Sequence, residues 1–130
     1  MLLVDTSLWV EIFRKPSRIR LAPAEMEEVA TCLPVVQEVL QGFLDDRAYR
    51  IAREAMFALP IVESPLRRSI VEEAVGLYRA ARRAGITVRS GVDCLIAACA
   101  IRNDLTVFHL DRDFPALARI SPLKQRQPSF

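Results

Sequence analysis

The chain has 130 residues, a formal net charge of +2 and 52% hydrophobic residues. That length suits a single domain, 1–130. Its longest apolar run, residues 94–101, falls far short of the roughly 20 needed to span a bilayer. The N-terminus lacks the basic start and cleavage region of a signal peptide, so a cytoplasmic protein without a membrane segment is expected.

A mean hydropathy of +0.18 is high for so short a chain. A small domain has little interior, so some apolar surface should remain exposed as a subunit or partner interface. Cys32, Cys94 and Cys99 are odd in number and form no C-x-x-C pair; buried small hydrophobes explain them better than a disulfide framework or a zinc site. Lys15 and Lys124 are the only lysines, so 16 of the 18 basic residues are arginine. Arginine binds phosphate through two parallel hydrogen bonds, although an arginine-rich coding bias would give the same count.

Leu2-Leu3-Val4 is an apolar run ending at Asp5-Thr6-Ser7, which predicts a buried strand, a helix N-cap and a helix over residues 8–13. Residues 14–20 form a basic loop, and residues 29–32 a second strand. Pro34 occupies a first-turn position, followed at helical spacing by Val35, Val36, Val39, Leu40, Phe43 and Leu44. A helix over 46–59, a short strand over 60–62 and the longest helix, 66–84, come next; Gly85 terminates the last. Ser90-Gly91-Val92-Asp93 has the pattern of a capping box opening an apolar helix to about residue 102. Residues 106–108 form a fourth strand, then a helical turn and a last strand near 120–123 precede a frayed tail over 124–130. Short apolar strands alternating with helices predict an α/β domain whose parallel sheet is covered on both faces.

In such a sheet, ligands bind beyond the C-terminal strand ends at a switch in strand order. Asp5, and Asp111 with Asp113, fall where strands end; Asp93 opens an apolar helix, and Glu38 lies in the first turns of the helix after Pro34. Clustered carboxylates repel one another, and a hard divalent cation would neutralise them. Such a site activates water and offsets charge at a phosphodiester. Each acid also has a structural reading. Asp5 can cap its helix, and Asp93 can complete the capping box. Asp111 and Asp113 can form a turn around Arg112, and Glu38, nearly opposite the apolar stripe of its helix, can be merely solvated.

Together the segments look like a known pattern. Leu3-Val4-Asp5-Thr6-Ser7 resembles the opening of PIN-domain nucleases, and residues 34–42, containing Glu38, resemble their second acidic motif. Asp93 heading residues 94–100 is similar to the third, and Leu110-Asp111-Arg112-Asp113-Phe114 to the fourth. Order, spacing and length match the VapC subgroup, toxins of bacterial toxin–antitoxin pairs. The resemblance implies a three-layer α/β/α PIN-like fold with a short, mainly parallel sheet. It implies an endoribonuclease with Asp5, Glu38, Asp93 and Asp111 as an acidic quartet around Mg²⁺ or Mn²⁺, Asp113 as an auxiliary acid, and Thr6 or Ser7 supporting Asp5. A metal-activated water would attack the RNA, a cognate antitoxin would block the site, and a homodimer would be usual. Arg14, Lys15, Arg18 and Arg112 are candidate RNA contacts, or a solvated loop. One departure stands out: the family commonly has Thr, Ser or Asn two residues before the fourth acid, where this chain has His109. That histidine is either a phosphate or proton contact or, preferably, packed at a strand end.

Two rivals remain. A catalytically inactive PIN-like module would bind partners through its apolar excess, with Trp9, Ile12 and Phe13 lining a groove, but would have no need of four acids. A phosphotransferase of the haloacid-dehalogenase type needs its D-x-D after the first strand, whereas Asp111-Arg112-Asp113 lies near the C-terminus. A serine triad fails because Ser7 lacks a nucleophile-elbow sequence, and four glycines supply no phosphate loop.

Overall fold

A computed structural model describes residues 1–14 and 16–129. Strand β1 (Leu2–Val4) is buried at every position, as a central strand covered on both faces must be. Asp5 ends the run and caps helix α1 (Thr6–Phe13), accepting the Ser7 amide at 3.0 Å. The helix therefore begins two residues earlier than its apolar pattern implies. A short helix absent from the sequence reading, α2 (Pro23–Met26), opens on Pro23, with Glu25 accepting the Ala22 amide at 3.0 Å. Then come β2 (Val29–Cys32), α3 (Leu33–Gln41), α4 (Asp46–Phe57) and β3 (Ile61–Val62).

Helix α5 (Arg68–Arg83) buries Ile70, Ala74 and Ala81 and carries Arg82 and Arg83 in its last turn, where cations suit the dipole. Gly85 follows at φ +73°, the left-handed turn glycine supplies without strain. Helix α6 (Gly91–Arg102) is buried along almost its whole length, from Asp93 to Ala100 except Leu95. A helix apolar all round belongs in a core, and the run Ala97, Ala98, Cys99, Ala100 keeps it slim there. The chain ends with β4 (Thr106–Phe108), α7 (Asp113–Ala118) and β5 (Lys124–Arg126).

The five strands found among the described residues are all parallel, in the order β3-β2-β1-β4-β5. The chain steps outward from β1 to β3, then returns to the other side of β1 for β4 and β5. Right-handed crossovers put α1 to α4 on one face and α5 to α7 on the other, giving a three-layer α/β/α domain. The direction of winding reverses between β1 and β4, so the crevice for a ligand lies beyond the ends of those two strands.

Three expectations need correction. The last strand lies at Lys124–Arg126 rather than 120–123, so the first three residues of the supposed frayed tail are paired with β4. Leu123, within the expected strand, is instead buried in the core just before β5. Trp9 does not line a groove: it is buried and stacks on Phe13 with ring centroids 5.7 Å apart. The groove on that side, about 270 Å³, is lined by Val10, Phe13, Val39 and Phe43. A larger apolar groove of about 480 Å³ lies between α5 and α6, lined by Val71, Val75, Tyr78 and Leu95. All three cysteines are free and buried. Among the described residues no helix is long and apolar enough to cross a membrane.

Candidate active site: a buried carboxylate cluster

Asp5, Asp93, Asp111 and Asp113 converge on the crevice between β1 and β4. Asp5 leaves the end of β1, 2% exposed. Its Oδ2 accepts the Ser7 amide at 3.0 Å and the Ser7 hydroxyl at 2.6 Å. Its Oδ1 is buried and has no hydrogen-bond partner among the described residues. One oxygen of Asp5 thus performs the capping role, and the other is left over. Ser7 Oγ also accepts the Leu110 amide at 3.0 Å, tying the end of β1 to the loop after β4.

Asp93 sits in the first turn of α6, 6% exposed. No capping box forms: the Ser90 side chain makes no cap bond, and Asp93 Oδ2 is buried without a partner. The free amides at the start of α6 are met by Asp113, whose carboxylate accepts the Arg89 amide at 3.1 Å and the Ser90 amide at 3.3 Å. Asp111 Oδ1 accepts the Asp113 amide at 2.9 Å, which folds residues 111–113 into a tight turn.

Asp93, Asp111 and Asp113 each offer an oxygen within 4.8 Å of the others. Burial pushes the Asp93 carboxyl up to about 9, helped by its contact with Asp113 and by the charges of Asp5 and Asp111. Burial likewise raises Asp5 above the usual carboxylate range, against the opposing pull of the Ser7 hydrogen bonds. Asp5 therefore shares the electrostatic field of the three clustered acids while standing outside their 4.8 Å grouping. Glu38 also stands outside it: Thr6 Oγ1 donates to Glu38 Oε1 at 2.9 Å, holding it at the rim beside the start of α1.

Among the described residues, the one cation in contact with the cluster is Arg89, missed in the sequence reading. Its guanidinium lies 3.5 Å from Asp111 and 3.9 Å from Asp113 and stays half-exposed. Its position just before a helix that opens on an acid was the available signal. The other candidate contacts are peripheral. Arg14 pairs with Glu11 at 3.3 Å, Arg112 is exposed beside the acidic turn, and Lys15 lies outside the described residues. Arg18 lines a cleft of about 460 Å³ with Arg20, Phe108 and Arg126.

Two of the four carboxylates, Asp5 and Asp93, keep an unpartnered buried oxygen, and among the described residues Arg89 contacts the other two, Asp111 and Asp113. The donor set is all hard oxygen, which suits a divalent cation such as Mg²⁺ rather than a soft metal.

The PIN domain family model matches residues 2–120. The chain belongs to the PIN-domain family. Within that family it falls in the VapC group: Ribonuclease VapC11 of Mycobacterium tuberculosis is 42% identical over 136 aligned positions, covering 95% of this chain and 96% of the relative. A VapC ribonuclease of Mycobacterium bovis matches equally well, at 42% over the same share of each chain. The PIN fold is seen again in VapBC2 of Rickettsia felis bound to a fragment of its promoter DNA, with a TM-score of 0.73 over 98% of both chains at 15% identity. The M. tuberculosis VapC20 structure, described as a sarcin-ricin loop cleaving toxin, superposes with a TM-score of 0.68 at 18% identity, over 95% of this chain and 99% of that one.

Proposed function

We propose that this chain is a divalent-cation-dependent endoribonuclease, working with Mg²⁺ or Mn²⁺, and the toxin of a type II toxin–antitoxin pair. The supporting observation is the buried acidic crevice with its two unpartnered oxygens, in a chain 42% identical to ribonucleases along nearly its whole length. In this reading Asp5, Glu38, Asp93 and Asp111 are the acids of the reaction, and Asp5, Asp93, Asp111 and Asp113 surround the cation. When bound, the ion would acidify a water and offset the charge that builds on the phosphate.

The chain's own groups prepare that step. The amides of Arg89 and Ser90 orient Asp113, and Ser7 orients Asp5 while leaving its Oδ1 unused. Burial and the neighbouring acids favour the protonated form of Asp93, and a bound cation would favour its carboxylate form. Thr6 aims Glu38 at the rim. Arg14, Arg18 and Arg112 are the proposed RNA contacts, Arg112 lying beside the acidic turn and Arg18 along the basic cleft. A cognate protein antitoxin and a second copy of the chain are the partners proposed for the two apolar grooves.

Purified protein free of any partner is incubated with total RNA, with and without Mg²⁺ or Mn²⁺, beside Asp5→Asn and Asp93→Asn. Cutting that needs the ion and disappears in both variants is the expected result. Folded wild-type protein that neither cuts RNA nor binds either ion would overturn the reading in favour of a PIN-like interaction module.

A further inference from the structure

We propose that His109 and Gln125 form a positioning pair that sets Asp111 in place for cation binding. The inference rests on the reading of the acidic crevice as a cation site. His109 is the only histidine and is fully buried. Its Nδ1 accepts the Asp111 backbone amide at 3.0 Å, and its Nε2 lies 2.7 Å from Gln125 Oε1. A backbone amide can only donate, so Nδ1 presents its lone pair and the ring proton sits on Nε2, facing the Gln125 carbonyl. The ring packs against Phe114 at 5.0 Å between centroids, which fixes its plane. Both nitrogens are engaged, so neither is available to a phosphate or a migrating proton. The packed-histidine reading holds, and His109 has a second task.

That task follows from the chain of contacts it starts. Gln125 orients the imidazole, and the imidazole holds the Asp111 amide. Asp111 then holds the Asp113 amide, and Asp113 holds the Arg89 and Ser90 amides just before the helix that carries Asp93. The edge strand β5 therefore bears on the geometry of three acids without contributing one. Groups that orient metal ligands from behind commonly change affinity 10- to 100-fold when removed. An apolar ring at position 109 would leave the Asp111 amide without this acceptor, whereas asparagine could accept the same amide from Oδ1.

The test measures Mn²⁺ binding by titration calorimetry on the full chain, with melting temperature and imidazole ¹⁵N NMR recorded on each variant. With a single histidine, the NMR signals need no assignment. In the wild type the proton should lie on Nε2. His109→Phe should weaken Mn²⁺ binding about tenfold or more, His109→Asn should recover most of the loss, and Gln125→Leu should weaken binding by a smaller factor while leaving the Nε2 proton without its acceptor. If His109→Phe does not fold, His109→Asn and Gln125→Leu carry the test. Folded variants that bind Mn²⁺ as the wild type does, or a ring proton on Nδ1, would sink the positioning role and leave the nuclease reading intact. A wild-type chain that binds no Mn²⁺ would instead overturn the cation site itself, and this inference with it.

Discussion

Helix α6 carries a charged group at each end, and the two are built in opposite ways. At its C-terminal end Arg102 is fully paired: with Glu63 at 3.2 Å, Glu73 at 2.5 Å and the Ser69 hydroxyl at 3.1 Å. Asn103 adds a bond to the other oxygen of Glu63 at 3.2 Å. At the N-terminal end Asp93 is buried among three further acids and keeps an oxygen without a partner. The helix dipole favours both signs, an acid at the start and a cation at the end, so it does not explain the contrast. The balanced end completes the fold. The unbalanced end favours a proton or a cation, which agrees with the cation site proposed for it.

The largest effects follow from breaking that imbalance. Asp93→Asn removes a charge the folded state holds poorly, so it should raise the melting temperature of the cation-free protein. The same change should lower RNA cleavage about a thousandfold or more, equivalent to roughly 4 kcal/mol or more of lost charge stabilisation. Arg102→Ala should do the reverse, lowering the melting temperature slightly and leaving the cleavage rate unchanged. Thermal melts and single-turnover cleavage on both variants decide the matter: two variants that lose both stability and rate would erase the distinction between the two ends of α6.

The next effect is a pH dependence of opposite sign to that of ordinary paired carboxylates. The Asp93 carboxyl is raised from an ordinary 3.8 to about 9. Between those values the folded chain holds a proton that the unfolded chain has lost, so stability falls as pH rises. The cation-free protein should therefore melt at progressively lower temperature from about pH 4 towards pH 9, once other groups are accounted for by the Asp93→Asn variant. Saturating Mg²⁺ should cancel the slope, because the ion binds the deprotonated cluster and adds stability of about 2.7 kcal/mol at a hundredfold excess over its Kd.

Much of this arrangement was legible in the sequence, and the failures have a common cause. Strands β1, β2 and β4 are apolar runs bounded by polar residues, and α3 and α5 show a clear helical stripe, so hydrophobic pattern alone placed them. Strand β5 is Lys124-Gln125-Arg126, an edge strand paired on one side with no apolar residue of its own, and pattern could not find it. Helix α2 is four residues long and buries nothing. At the site, residue type pointed to the acids, but the structural and functional readings of each stood as alternatives. Asp5 both caps α1 and leaves an oxygen free, and the capping expected of Ser90 is supplied by Asp113, 23 residues away along the chain. Long-range exchange of that kind leaves no local trace, and neither does the bond between His109 and Gln125.

A smaller effect sharpens the status of Glu38. It lies outside the tight group of acids and reaches the crevice only through Thr6. Thr6→Val keeps the shape of the side chain and removes the donor. Losing a hydrogen bond to a partly exposed carboxylate should cost about 1 kcal/mol, or roughly fivefold in cleavage rate. An unchanged rate beside an inactive Glu38→Gln would show that Glu38 needs no such guide.

The smallest effect is expected where local sequence predicts a larger one. Ser90 heads α6 as an N-cap serine should, and replacing a working N-cap by alanine typically costs about 0.5–2 kcal/mol. Here the Ser90 hydroxyl makes no cap bond, and the Ser90 amide is already taken by Asp113 at 3.3 Å. Ser90→Ala should therefore melt within error of the wild type. Asp113→Asn, by contrast, weakens the carboxylate cap on the Arg89 and Ser90 amides and should lose about 1 kcal/mol or more, after allowance for the charge relieved at Asp93. If Ser90→Ala proves the costlier of the two, the start of α6 is held by its own serine. The acidic turn would then be free of any structural duty, and its carboxylates would have to be explained by ligand binding alone.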